Sequence, residues 1–598
     1  MAGEAFFGHG SDSEARGIPA DLVPYVEAAD APDEGADEAE EPNAAADDSA
    51  RDAALRALVE NSLLVGPDPT ILAEITGDFD EAFADDADAD AADDADWSDD
   101  ADAADDADWS DDADSAPGAD DSARASRTAS GARSNATSPH DAALAAAADQ
   151  VQLDAQVRRI YESIVERAPE HDIDPTLDRV KTALDILGDP QNAYPSVHVT
   201  GTNGKTSTAR MIDAVLTAFG MKVGRFTSPH LIDVRERISL EGHPISREGF
   251  IAAWKDVEPY IRMVDERSQE QGGPRLSFFE VFTVMAFAAF ADYPVDAAVV
   301  EVGMGGTWDS TNVIGAGVSV ITPIGVDHAR WLGSTVEQIA REKAGVIKPG
   351  QIVVVARQSE EAMTVLEERA RQVDTVLRVE GRDFEVVDRQ MGVGGQLVTV
   401  RTPAAVYEDV FVPLLGEHQA HNAAVALAAV EAFMGGRALD GRIVESGMMA
   451  ASSPGRLQVV RRSPTIIVDA AHNPAGAGTL RGALEESFGF SRVVGVYSAM
   501  GDKDVEGVLS EVEPFMDHIV VTRMDGGRAA DTGALARVAE DVFGPDRVDA
   551  VEGLADAVDR AAALAEAGAG PSDRSGVLVF GSVHLAGDML ALAGKSPE

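Results

Sequence analysis

The stretch SVHVTGTNGKTST, Ser196–Thr208, decides the fold. Ser196–Thr200 is a short β-branched strand, and Gly201–Thr208 is a glycine turn opening into a helix. Each residue type has a reason. Glycines let the backbone curl so that its N–H groups face an anion. The new helix points its positive end at the same place. Lys205 reaches outer phosphates, and the hydroxyl of Thr206 or Ser207 sits beside a phosphate-bound divalent ion. Strand, loop, Lys-Thr-Ser and helix occur in that order, which predicts a nucleoside triphosphate site. Gly201 lies only four residues before Lys205, tighter than the commonest GTPase loop and closer to that of ligases.

Outward from this loop, strand and helix alternate. Asp154–Arg167 reads as an amphipathic helix with Val157, Ile160, Tyr161 and Ile164 on one face. A helix over Thr206–Phe219 precedes a strand at Lys222–Thr227. Ser277–Asp292 is nearly all apolar and predicts a buried helix. Val295–Val302 is a continuous apolar strand, as in a parallel sheet covered on both faces. Val318–Pro323 and Gln351–Ala356 are further strands. A second set follows Arg456, with strands at Thr465–Asp469, Arg492–Ser498, His518–Thr522 and Gly576–Gly581. Helices over Ala477–Ser487, Val505–Val512 and Thr532–Val542 lie between them. The fold class is therefore α/β: a P-loop ATPase domain with a parallel sheet, then a smaller Rossmann-like domain. SSPG at Ser452–Gly455 is the expected hinge.

The 598 residues carry 105 Asp+Glu against 48 Lys+Arg, a net charge of −57. That argues against nucleic acid and anionic membrane surfaces as partners, since both need a basic face. The chain has no cysteine, so disulfides, thiolate metal sites and cysteine nucleophiles are excluded. No secretory signal and no membrane-spanning run is visible, so a cytoplasmic location is expected. Residues 1–150 hold 41 acidic and 6 basic residues, and AADDADWSDDAD at 91–102 recurs identically at 103–114. Such a segment buries too little apolar surface to offset its ordering entropy, and 1–150 is expected to be a disordered acidic tail. Short helices within it are conceivable around Asp52–Leu64 and Thr70–Phe83. Trp97 and Trp109 would be a dock for an unknown partner if the tail does more than solvate. The boundaries expected are 1–150 tail, 151–453 ATP-binding domain and 454–598 C-terminal α/β domain.

HVTGTNGKTS is joined by TSPHL at Thr227–Leu231, RERI at Arg235–Ile238 and SFFE at Ser277–Glu280. EVGMGGTWDSTN at Glu301–Asn312, VDH at Val326–His328 and EKAGVIK at Glu342–Lys348 follow. HQAHN at His418–Asn422, SPGR at Ser453–Arg456 and DAAHNP at Asp469–Pro474 complete the set. In this order, over about 155–590, they resemble the folylpolyglutamate synthase/dihydrofolate synthase family of the Mur ligase superfamily. The resemblance implies a monomeric ATP- and Mg²⁺-dependent ligase. It would add L-glutamate to a folate, with dihydropteroate as a further acceptor, through an acyl phosphate.

The same resemblance implies roles. Gly201, Thr202, Asn203, Gly204, Lys205, Thr206 and Ser207 would cradle ATP, with Asn422, Arg456 and Asp469 on adenine, phosphate and ribose. Ser228, Glu301 and His328 would hold Mg²⁺. Independently, a carboxylate ending an apolar strand, as Glu301 does, is costly unless it meets a cation. Lys205, Lys343 and His472 would be catalytic, Lys343 as a carbamate and His472 facing glutamate together with Ser582. Phe279 and Asp309 would line the pterin pocket. Plainer readings stand beside these: an ion pair for Glu301, a helix cap for Ser228, a Lys–Glu pair for Lys343, a surface charge for Arg456 and core packing for Phe279. Two positions depart from the family pattern, Thr307 where an Arg is usual and Thr206 where many members have Gly. Competing functions are another Mur-type or amino-acid ligase, and a non-enzymatic nucleotide-binding partner protein.

Overall fold

The computed structural model describes residues 139–167, 174–524, 528–567 and 575–595. Two compact units divide the chain, one of them spanning 33–152 and the other containing 153–598. Of the first, the described part opens the helix Pro139–Val165. This corrects two expectations. Residues 139–150 are helical rather than part of a disordered tail, and the helix expected from Asp154 starts earlier. The reason is composition: PHDAALAAAADQ is alanine-rich, and alanine has the highest helix propensity. The rest of the acidic segment, with its two expected short helices and the tryptophan repeat, lies outside the described residues.

In the larger unit the apolar runs become sheets. The first has eight strands. They are β1 (Ser196–Thr200), β2 (Val223–Phe226), β3 (Ile238–Leu240), β4 (His243–Pro244), β5 (Ala297–Glu301), β6 (Val318–Ile321), β7 (Ile352–Val355) and β8 (Val376–Val379). Their order is β4-β3-β2-β5-β1-β6-β7-β8, parallel except at the β2–β3–β4 edge. Side chains alternate between faces. Val197, Val199, Ala297 and Val299 face the helices Lys205–Ala218 and Glu417–Phe433. Ala298 and Val300 face Phe278–Asp292 and Arg247–Glu270. Phe282, Phe287 and Phe290 are fully buried there, each contributing about 2 kcal/mol of apolar burial. Gly224 leaves room for the Phe290 ring; a Cβ there would lie 2.6 Å from it.

An antiparallel three-stranded sheet, absent from the sequence expectations, follows: β9 (Glu385–Gly392), β10 (Gly395–Arg401) and β11 (Val406–Val412). The last sheet has six strands. They are β12 (Gln458–Arg462), β13 (Thr465–Val468), β14 (Arg492–Tyr497), β15 (His518–Val521), β16 (Val548–Ala550) and β17 (Ser575–Phe580). The order is β12-β13-β17-β14-β15-β16, parallel but for β12. Expected strand and helix ends in both α/β sheets fall within one or two residues of those observed, except that the helix expected from Ala477 begins three residues earlier, at Pro474. Among the described residues no helix is long and apolar enough to cross a membrane.

All three sheets lie within 174–595. Removing residues 1–138 is therefore expected to leave folding intact. Circular dichroism should show a cooperative melt within about 3 °C of the full chain, under ~1 kcal/mol. Loss of the cooperative transition would show that the acidic segment is part of the fold.

Candidate active site

In the first sheet β1 lies between β5 and β6; the chain runs from β1 to β2 on one side, and from β5 across β1 to β6 on the other. Ligand crevices open outside the carboxyl ends of parallel strands at such a switch point. Four segments meet there: Gly201–Thr208 after β1, Thr227–Ser228 after β2, Glu301 ending β5, and Pro323–His328 after β6. The carboxyl ends of the last sheet supply Asp469 after β13, Lys503 after β14 and Ser582 after β17. Together they line one cavity of about 1230 Å³. Every site residue expected from sequence lines it.

The loop is built for an anion. Gly201 has φ 146° and Gly204 φ 87°. A Cβ on Gly201 would sit 1.9 Å from Thr322 Oγ1, and one on Gly204 would sit 2.7 Å from Asn422 Oδ1. Only glycine fits either place. Thr202 anchors the loop, its N–H donating to Pro323 O at 2.9 Å and its hydroxyl to Gly325 O at 3.0 Å. Lys205 Nζ donates to Thr202 O at 3.1 Å, and burial lowers its pKa although Glu301 pulls the other way. Ser207 Oγ lies 2.8 Å from Ser453 Oγ, and Arg210 Nη1 donates to Ser452 Oγ at 3.2 Å.

Glu301 is 1 % exposed. Thr206 Oγ1 donates to its two oxygens at 2.9 and 3.0 Å, and Ser228 N approaches at 3.4 Å. Burial raises its pKa, opposed by Lys205. No basic side chain forms an ion pair with it among the described residues, so a carboxylate sits in the cavity wall held only by neutral donors. No helix begins at Ser228, which sets aside the capping reading. His328 takes a left-handed φ of 51°, and burial lowers its imidazole to about 4, leaving it a neutral donor of a lone pair.

Lys343 is buried and donates to Gly201 O at 2.7 Å rather than to a carboxylate. Burial first, then the charge of Lys205, lowers its pKa to about 7. Asn422 abuts Gly204 and donates to Gln419 Oε1 at 3.0 Å. Arg456 is half-buried, not a surface charge. Asp469 accepts from Leu457 N at 2.9 Å and Ala471 N at 2.8 Å, and burial raises its pKa. His472 Nδ1 lies 2.9 Å from Ala470 O. Ser582 caps the helix Val583–Leu592 by accepting from His584 N at 3.2 Å. Phe279 is half-buried; its ring fills the space over Gly303 and tilts against Phe226 at 5.6 Å. Asp309 spends acceptors on its own loop, from Met304 N at 2.9 Å and Thr311 N at 3.0 Å. Thr307 is exposed and bonds back to Glu342 O at 3.1 Å.

Sequence reasoning missed Asp327 and Lys503, which line the same cavity, and Asn473, which bonds to Asp327 beside it. It also missed Arg389–Glu486 and His421–Glu380, two close pairs on the cavity wall. Asp327 and Asn473 stand inside quoted motifs, VDH and DAAHNP; Lys503 carries no local signal.

Residues 267–430 match the Mur ligase middle domain, and 455–583 match the Mur ligase glutamate ligase domain. The dihydrofolate synthase/folylpolyglutamate synthase of Mycobacterium tuberculosis is 48% identical over 463 residues, covering 74% of this chain and 95% of that protein. The chain belongs to the dihydrofolate synthase/folylpolyglutamate synthase family. The Mycobacterium tuberculosis folylpolyglutamate synthase complexed with ADP and AMPPCP has 47% identity and a TM-score of 0.71, covering 75% of this chain and all of that one. The Escherichia coli FolC structure with DHPP and ADP has 29% identity and a TM-score of 0.63, covering 74% and 97%. Membership of this family makes the chain an ATP-dependent ligase.

Proposed function

We propose that this cavity joins L-glutamate to the carboxyl group of a folate, and of dihydropteroate, at the expense of ATP. The carrying observation is the pairing of a phosphate loop with a buried Glu301 carboxylate in one cavity shared by two parallel sheets. A carboxylate is a poor electrophile. Phosphorylation by ATP makes it an acyl phosphate, and the glutamate amine then displaces phosphate through a tetrahedral intermediate. No side-chain nucleophile is needed, only alignment and charge neutralisation.

In this reading 151–453 holds ATP and the pterin, 454–598 presents glutamate, and the acidic segment ahead of residue 139 is an accessory tail awaiting a partner. The enzyme works in the cytoplasm as a monomer. Gly201–Ser207 cradle the phosphates, and Lys205 lies against the outer ones. Asn422, Arg456 and Asp469 hold the nucleotide, Phe279 and Asp309 the pterin, and His472 and Ser582 the incoming glutamate. The donor set also fits Mg²⁺. Among the described residues no three His, Asp or Glu side chains cluster as a metal cage. Mg²⁺ commonly takes one or two protein oxygens, with water and phosphate completing its shell. Glu301, Ser228 and His328 would hold it, and it would neutralise charge on the transferring phosphoryl group. The buried Lys343 amine, close to neutral pKa, suits the carbamate the family carries.

The test is ADP release with glutamate plus dihydropteroate, then plus tetrahydrofolate, then plus a UDP-muramyl acceptor. Release with the first two is expected. Release with the third alone would make this a peptidoglycan-type ligase.

A further inference from the structure

Asp327 immediately precedes His328, yet its carboxylate turns toward the other sheet. Its Oδ1 accepts from Lys503 Nζ at 2.7 Å. Its Oδ2 accepts from Asn473 Nδ2 at 3.1 Å and lies 3.3 Å from His472 Nε2. Asn473 in turn exchanges amide hydrogen bonds with Asn203 of the phosphate loop, at 3.1 and 3.3 Å. It also caps its own helix, accepting from Gly476 N at 2.8 Å. The Asp327 side chain is 9 % exposed and that of Lys503 12 %, so the ion pair is largely desolvated. One carboxylate thus gathers three groups from the loops after β13 and β14, beside the loop that receives phosphate.

We propose that Asp327 is a positioning residue: it fixes Lys503, His472 and Asn473 against the phosphate loop, so that the glutamate half of the site is assembled where the acyl phosphate forms. This rests on the ligase reading above and adds a residue to it. Lys503 Nζ, Asn473 Nδ2 and the His328 N–H all donate to Asp327, with His472 Nε2 beside them. An isosteric Asn would turn an NH₂ toward one of them and leave a buried donor unpaired. A carboxylate that merely glued two surfaces would lower stability and weaken ATP binding together. A positioning carboxylate instead lowers the rate of the assembled complex.

The experiment uses the full chain and measures ADP release with dihydropteroate or tetrahydrofolate, varying ATP and glutamate. Asp327→Asn is expected to lower kcat about tenfold or more while KM for ATP moves less than about threefold. Asp327→Glu, which keeps the charge, should retain more activity than Asn. Lys503→Met should lose activity similarly, and the double variant should be no more than about threefold worse than the poorer single one, because both remove one interaction. Circular dichroism on each variant shows that it is folded. Multiplicative losses, or a KM for ATP rising in step with the fall in kcat, would overturn the positioning role. A wild-type chain releasing no ADP with either acceptor would overturn the ligase reading itself, and the role with it.

Discussion

Lys205→Ala is expected to lower kcat about a thousandfold while the chain stays folded. Lys205 is the one lysine of the phosphate loop, and its ammonium is held ready by a single backbone acceptor, Thr202 O. Burial already strains its charge, and Glu301 across the cavity is its largest counterweight. A bound triphosphate would relieve that strain, and the interaction strengthens as charge moves onto the transferring phosphoryl group. The alanine variant leaves the glycine cradle and the helix start in place, so nucleotide binding should weaken less than turnover. Steady-state ADP release, with nucleotide titration in parallel, measures both. Near wild-type kcat would show that the loop does not serve phosphate.

Lys343→Ala should cost about a hundredfold in kcat, with partial recovery in acetate. The amine, lowered to about 7, is roughly half unprotonated at neutral pH. In the carbamate reading the free base would attack CO₂, forming a C–N bond and releasing one proton, and an anionic carbamate would replace an ammonium near Lys205 and Asp327. Below pH about 7 the ammonium predominates and capture fails. Activity should therefore fall with acidification, and added bicarbonate should restore part of it. Carbon-13 NMR with labelled bicarbonate detects the carbamate directly. Full activity in the alanine variant, with no carbamate resonance, would leave Lys343 as a hydrogen-bond donor to Gly201 and nothing more.

What could be read from the sequence follows a physical rule. Strands buried on both faces, such as Ala297–Glu301 and Ser575–Phe580, are continuous apolar runs, and the loop motifs punctuate them, so the two parallel sheets were legible. The three-stranded sheet was not. Residues Glu385–Gly392 are mostly exposed, and their mixed polar pattern has no clean period of two. Site residues within motifs come together along one cavity. Asp327 with Lys503, and Asn203 with Asn473, are partners 176 and 270 residues apart, joined by no local periodicity. Only the folded arrangement of the two sheets reveals them. Residues 139–150 were misjudged for a different reason: alanine runs that look like low complexity are also strong helix formers.

The serine staple between the phosphate helix and the segment joining the two α/β sheets has a mechanical consequence. Ser207 meets Ser453, and Arg210 meets Ser452, so the connecting strand of chain is tied down beside the phosphates. Any swing of the C-terminal sheet then has its fulcrum there. Asn473, bonded to Asn203 of the phosphate loop, ties a second point of that sheet down beside the phosphates. In the ligase reading these two ties would hold the glutamate half of the site at the nucleotide and leave water little room where an acyl phosphate would otherwise be lost to hydrolysis.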